Sequence, residues 1–283
     1  KTPGSSFCVP FDFAGKDFSK DYVFKVETCS GNRIVSVNKV SYRHLPLPEW
    51  FHNDLGISDK VPDPWTPMKF KGNNQISCWG REYYFGNKLF FTRLTTHGDD
   101  ILAAPAELLL ETVKGKVDLN KLPAKQKNVK SVDTEVDFVR DVNYDNLHIT
   151  NSTKIEYDGF MWHELTIKPQ TPVLINKLLL ELPLSDSMAK LLVPHDYSLK
   201  DTGKIKEWHG SVRPFWVGNA EGGIQFVTEQ AFTWRNKSVN DQLQLFRKNG
   251  HWILRLSLIG QKTTLREPIK FAFGFQATPV KRF

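Results

Sequence analysis

The strictest constraint in this chain is a run of period-two alternation interrupted by one tight turn. Over residues 242–259, QLQLFRK leads into Asn249-Gly250 and then HWILRLSLI. Leu243, Leu245 and Arg247 alternate with Gln242, Gln244 and Phe246 before the turn. Trp252, Leu254, Leu256 and Leu258 alternate with Ile253, Arg255 and Ser257 after it. Successive side chains of a strand point to opposite faces, so this pattern buries one face of a sheet. Asn-Gly accepts the positive φ angles of a type I′ turn, whose twist matches that of paired strands. A hairpin is predicted. A second follows by the same logic from KIEY, Asp158-Gly159 and FMWHELTI, stopped by Pro169 and Pro172.

Further strands are predicted over 22–28, 34–40, 76–85, 88–94, 224–228 and 269–277, separated by turn residues at intervals typical of sandwiches and barrels. The 18 Gly and 16 Pro are scattered, which suits many short strands. Helical periodicity is scarce. Residues 103–112 (AAPAELLLET) fit two helical turns or a buried strand, and 185–192 (SDSMAKLL) fit one short helix with Ser185 as its N-cap. Nothing alternates strands with long helices, so a Rossmann or barrel enzyme is not expected. The expectation is an all-β chain, a large β-sandwich with few short helices, read as one unit over 1–283. With 20 Phe and 8 Trp, large rings supply much of what such a core buries.

The net charge of +7 invites a nucleic-acid reading, but the basic residues form no stripe. The densest group, Lys121, Lys125, Lys127 and Lys130, reads as a solvated loop, and no zinc-finger spacing or Arg-rich arm accompanies it. No nucleic-acid partner is expected. No stretch approaches the roughly 20 apolar residues of a membrane span. No charged-then-apolar export segment is visible, and the expectation is either a cytosolic protein or one whose export signal has been removed. Cys8 and Cys29 sit in consecutive predicted segments and a bridge between them is conceivable; free, buried thiols fit equally well. None of the three cysteines, Cys78 included, has metal-ligand spacing.

Motifs that carry chemistry are scarce in this sequence. There is no Gly-x-Ser-x-Gly elbow, no phosphate-binding glycine loop and no His-Glu-x-x-His. His195 with Asp196, and His209, invite an acid/base reading on a sugar ring, but sequence neighbours on a strand point to opposite faces. Asp99-Asp100, Asp133 with Glu135, and Glu221 with Glu229 supply carboxylates without showing the spacing that glycoside hydrolysis needs. No catalytic residue, metal ligand or cofactor is predicted in this chain. Aromatic residues carry the stronger indication. Sugar sites set flat rings against C–H patches, with polar groups nearby for the hydroxyls. Trp216 with Asn219 and Glu221, followed by Trp234, has that composition. So do Trp65 in its Pro-Trp-Thr-Pro loop (62–67) and Trp79 with Arg81. Most of the eight tryptophans are expected in the core, and two or three at a surface or domain interface.

A succession of strings points further. PEWFHNDLGISDKVPDPWTPMKF (48–70), SCWGREYYFG (77–86) and GDDILAAPAEL (98–108) come first. YDGFMWHELTI (157–167), LLLELPL (178–184), PFWVGNAEGGIQFVTEQAFTW (214–234) and GFQATPVK (274–281) follow in order. Together they resemble the N-terminal β-sandwich of proteins related to glycoside hydrolase family 123. The resemblance implies a supersandwich, galactose-mutarotase-like or related, that precedes a (β/α)-barrel carrying the hydrolytic carboxylates. It also implies an exported bacterial protein, in the periplasm or at the cell surface. The partner expected is therefore a C-terminal catalytic barrel of the same polypeptide, with oligosaccharide as a further candidate. The leading expectation is a non-catalytic supporting or site-lining domain. An independent carbohydrate-binding module, a mutarotase- or epimerase-like enzyme and a purely structural surface domain are the alternatives. A sandwich that packs on a barrel should present an apolar patch. Trp216, Trp234 and the 62–67 loop are the residues expected there.

Overall fold

A computed structural model describes residues 11–51, 53–54, 58–71, 75–229 and 231–281. Two compact units result, Lys1–Ile57 and Ser58–Phe283. In the first, Lys20–Ser30 and Arg33–His44 pair antiparallel across a turn at Gly31. Phe13 stacks on His44 at 4.6 Å within this unit, while Val23, Ile34, Val35 and Val40 remain exposed. Cys29 is exposed, and Cys8 lies outside the described residues.

The second unit is a β-sandwich. Its nine-stranded sheet runs, in spatial order, through Lys125–Ser131, Glu135–Tyr144, Leu147–Glu156, Phe160–Pro169, Ile269–Thr278, Gly223–Thr228, Phe215–Gly218, Leu191–Val193 and Lys200–Asp201. Its seven-stranded sheet places Val173–Leu184 between His251–Ile259 and Glu107–Thr112. A five-stranded sheet spans Lys69–Lys71 to Asp99–Asp100. Burial follows the alternation. Leu147–Glu156 buries every second residue from Leu147 through Ile155, and Phe160–Pro169 every second residue from Met161 through Ile167. One continuous apolar cluster joins the inward faces, including Phe138, Phe226, Phe273, Phe275, Leu180 and Leu254. Burial of such side chains is worth roughly 1.5–3 kcal/mol each before entropy is charged against it.

The hairpin expected at 242–259 is present as Leu243–Lys248 and His251–Ile259, with Asn249 and Gly250 at φ +52° and +86°. The second hairpin differs. Glu156 and Phe160 flank a three-residue loop in which only Gly159 has positive φ, at +86°, and Asp158 Oδ1 accepts from the Phe160 N–H at 2.8 Å. Residues 76–85 form two strands, because Gly80 at φ +68° turns the chain. Residues 88–94 do not alternate: Leu89, Phe90 and Phe91 are all buried, and the strand begins only at Arg93. The triple leucine of 103–112 lies in the strand Glu107–Thr112. Residues 185–190 make a single turn, where Ala189 N–H donates to Ser185 O at 2.9 Å before Leu191–Val193 begins. The lysine-rich segment is not a loop: Lys125–Ser131 is the edge strand of the large sheet, and charged edges discourage pairing with other chains. Among the described residues the helices are short 3-10 turns, and no helix is long and apolar enough to cross a membrane.

Candidate functional site

The last strand, Ile269–Thr278, leaves the sandwich under tight control. Four consecutive carbonyls accept side-chain hydrogen bonds. Arg81 Nε donates to Ala277 O at 2.9 Å, and Thr96 Oγ1 to Thr278 O at 2.9 Å. Arg81 Nη2 donates to Pro279 O at 2.5 Å, and Trp65 Nε1 to Val280 O at 3.0 Å. Arg81 is only 1% exposed and forms no ion pair among the described residues. Bonds from a charged donor to carbonyls compensate its burial, which a bare guanidinium would not survive. A Cβ at Gly159 would collide with that guanidinium, so the glycine makes room for it.

Beside this exit lies Trp216. It belongs to Phe215–Gly218, whose Phe215 and Val217 point into the core, so Trp216 lies on the opposite, outward face. Gly218 and Gly223 pair across the adjoining strands, and a Cβ on either would strike the indole. The ring therefore lies flat across bare backbone. Its Nε1 donates to Thr278 Oγ1 at 2.9 Å, fixing its orientation. A cleft of about 430 Å³ opens here, lined by Trp65, Trp216, Asn219, Glu221, Thr278 and Lys281 among others. That size falls in the roughly 300–1,000 Å³ range of small-molecule sites. Both indole N–H groups are committed to the protein, so the rings can offer a visitor only carbon surface. Asn219 shapes the loop: its Oδ1 accepts from Glu221 and Gly222 N–H at 2.8 and 2.9 Å, and its Nδ2 donates to Ser187 O at 2.9 Å. Among the described residues, the exposed Glu221 carboxylate has no intramolecular partner.

Of the seven residues singled out in the sequence, Trp65, Trp216, Asn219 and Glu221 meet in this cleft. Arg81 lies behind it as an anchor. Trp79 sits at the turn before Arg81, edge-on to His97 at 5.0 Å. Trp234 is not part of a surface patch with Trp216. It is 5% exposed, packed edge-on to Phe226 and Phe271. Arg235 bridges to Ile259, which draws residue 234 over the end of the core. Thr278 and Lys281 were missed; nothing in their local sequence says that a hydroxyl at 278 receives an indole proton.

The acid/base candidates do not assemble. His209 stands 3.6 Å from Glu207 and 3.8 Å from Asp241, beyond hydrogen-bond reach, on an edge strand. His195 and Asp196 occupy an exposed turn, where Asp196 accepts from Ser198. Asp100 is engaged by Arg93 at 2.5 Å, and Glu135 by Lys130 and Lys154. The histidine that is buried, His163, faces the core. Burial, reinforced by the positive charge of Arg140, pushes its pKa down to about 3. Among the described residues no group of three or more His, Cys, Asp or Glu is placed to hold a metal.

Residues 68–253 match the family described as glycoside hydrolase 123, third domain, which is more than half of the chain. The chain belongs to glycoside hydrolase family 123. The match is to one domain of that family, so the family 123 domain described here is a unit of a multidomain protein with a carbohydrate-related role. A glycosyl hydrolase family 38 protein from Enterococcus faecalis is similar in structure, with a TM-score of 0.52 at 8% identity, covering 77% of this chain and 31% of that one. An α-N-acetylgalactosaminidase from Bifidobacterium bifidum, solved with GalNAc, gives 0.52 at 11% identity, covering 74% and 36%. A galactose 1-epimerase from Lactobacillus acidophilus gives 0.44 at 6% identity, covering 76% and 98%. The chain thus spans about a third of the length of the first two. At the identities of the first two the likeness concerns the fold alone, a large all-β sandwich. No curated protein matches the sequence.

Proposed function

We propose that this family 123 domain is a non-catalytic, glycan-contacting sandwich, serving a catalytic barrel elsewhere in the same exported polypeptide. One observation carries the reading: the Trp216 indole is laid over Gly218 and Gly223 and held by Thr278, beside Trp65, in an open cleft. A sugar's C–H face stacks on such a ring, and Glu221 and Lys281 stand where hydroxyl or amide groups would project. Preorganisation lowers the entropy cost of binding, since the platform is in place before the ligand arrives.

The test is an NMR titration of this chain with N-acetylgalactosamine and with chitohexaose. The indole N–H resonances of Trp65 and Trp216 serve as reporters. Saturable shifts at both, lost in Trp216→Ala, support glycan contact. Silence at both indoles through millimolar sugar overturns it. The cleft is built from this chain's own residues, which favours a second reading, an independent carbohydrate-binding module. Micromolar affinity of the chain alone selects that reading; millimolar affinity that strengthens when the catalytic domain is present selects the first.

A further inference from the structure

Trp216 borders two depressions. One edge lines the cleft above. The other lines a second hollow of about 280 Å³, with Val193, His195, Tyr197, Arg213 and Gln225. Strand register explains why. Val193, Trp216, Gln225 and Gln276 lie directly opposite one another on four adjacent strands, so they form one row across the outward face. The row places an apolar side chain, the indole and two amides side by side.

The two hollows differ in chemistry. The first contains Glu221. The second has no carboxylate in its lining. Tyr197 is 88% exposed and held at φ +58°, a conformation uncommon for a bulky residue. Among the described residues the guanidinium of Arg213, the amide of Gln225 and the hydroxyl of Tyr197 have no intramolecular partner. Gln276, next in the row, differs: its amide donates to Asp158 O at 2.8 Å. The acidic residue nearest in sequence, Asp196, turns both its acceptor bonds to Ser198.

We propose that this second hollow is a subsite for a sugar carrying an anionic group, a carboxylate or a sulfate ester, next to a neutral ring stacked at Trp216. The inference rests on the glycan reading of the first cleft and extends it to an acidic oligosaccharide. The guanidinium fork of Arg213 pairs with two oxygens of such a group, as a lysine cannot. Gln225 and Tyr197 supply further donors, and Tyr197 a ring face.

The experiment is calorimetric titration of this chain at physiological ionic strength with four oligosaccharides. Chitohexaose is neutral, unsulfated chondroitin hexasaccharide carries carboxylates alone, keratan sulfate oligosaccharide carries sulfates alone, and chondroitin 4-sulfate hexasaccharide carries both. The chain's net charge of +7 attracts any polyanion, so a control of equal charge is needed. Lys116→Gln removes one exposed cation elsewhere. The expected result is binding of at least one acidic probe about tenfold tighter than chitohexaose, as for one well-placed charged pair. Arg213→Gln should abolish that preference without weakening chitohexaose, Arg213→Lys should restore part of it, and Lys116→Gln should leave it. The carboxylate and sulfate arms show which anion is read. Equal affinity for neutral and acidic probes, or equal losses in Arg213→Gln and Lys116→Gln, overturns this subsite while leaving the Trp216 cleft standing. Failure of every probe to bind overturns both.

Discussion

The two faces of the nine-stranded sheet obey one alternation and come to opposite ends. On the inner face, His163 and Phe273 are paired across strands, with Phe90, Phe226 and Phe275 around them, all buried. On the outer face, Trp216 is also large and aromatic, yet it lies over glycines and is only half-buried. A ring facing another sheet becomes core. A ring facing solvent becomes a platform when its neighbours have no side chains.

Four changes test that contrast. Phe273→Ala removes a fully buried ring and should cost about 3–5 kcal/mol in denaturant unfolding; a loss below about 1 kcal/mol would mean the inner face is not packed as described. Gly223→Ala puts a methyl group against the Val217 carbonyl and the Trp216 ring. About 1–3 kcal/mol should be lost, with the Trp216 indole resonance displaced. An unmoved resonance would break the account of the platform.

Acid should separate the faces too. The unfolded His163 titrates near 6.5, and the folded one near 3. Below about pH 6.5 the unfolded chain takes up a proton that the folded chain refuses. The stability contributed by a neutral His163 is therefore whole above that pH and drains as pH falls toward 3, by up to about 1.4 kcal/mol per pH unit. His163→Gln should flatten the curve in that window relative to the unaltered protein; parallel curves would remove His163 from the cause. The smallest effect belongs to the solvent-side ion pairs. Glu135, whose pKa is lowered chiefly by its hydrogen bond to Lys130 and then by Lys154, should cost no more than about 1 kcal/mol as Glu135→Gln.

Legibility followed the range of the interaction. Asn249-Gly250 and its flanking alternation were readable because turn and pairing partner lie within one stretch of chain. Gly80 was overlooked because an apolar-rich segment continues on both sides of it, hiding a turn in what reads as one strand. The lysines of 125–130 read as loop because an edge strand has a solvent face and a free rim, so its composition imitates a loop. Trp65 and Trp216 were both readable as sugar-type tryptophans, but their meeting depends on Val280 and Thr278, far from either in sequence. Arg81 looked like a ligand residue because a lone arginine beside a tryptophan suits sugars; two of its carbonyl partners, Ala277 and Pro279, lie almost 200 residues on.

Alternating polarity and turn-forming dipeptides, both local properties, determined by themselves that this chain builds layered sheets and that the strands flanking Asn249-Gly250 and Asp158-Gly159 adjoin. Which tryptophan is sealed and which is offered was decided only by the tertiary structure. Trp216 and Trp234 are alike as residues, and what separates them is the surface they land on: paired glycines open to solvent in one case, and the aromatic interior of the sandwich in the other.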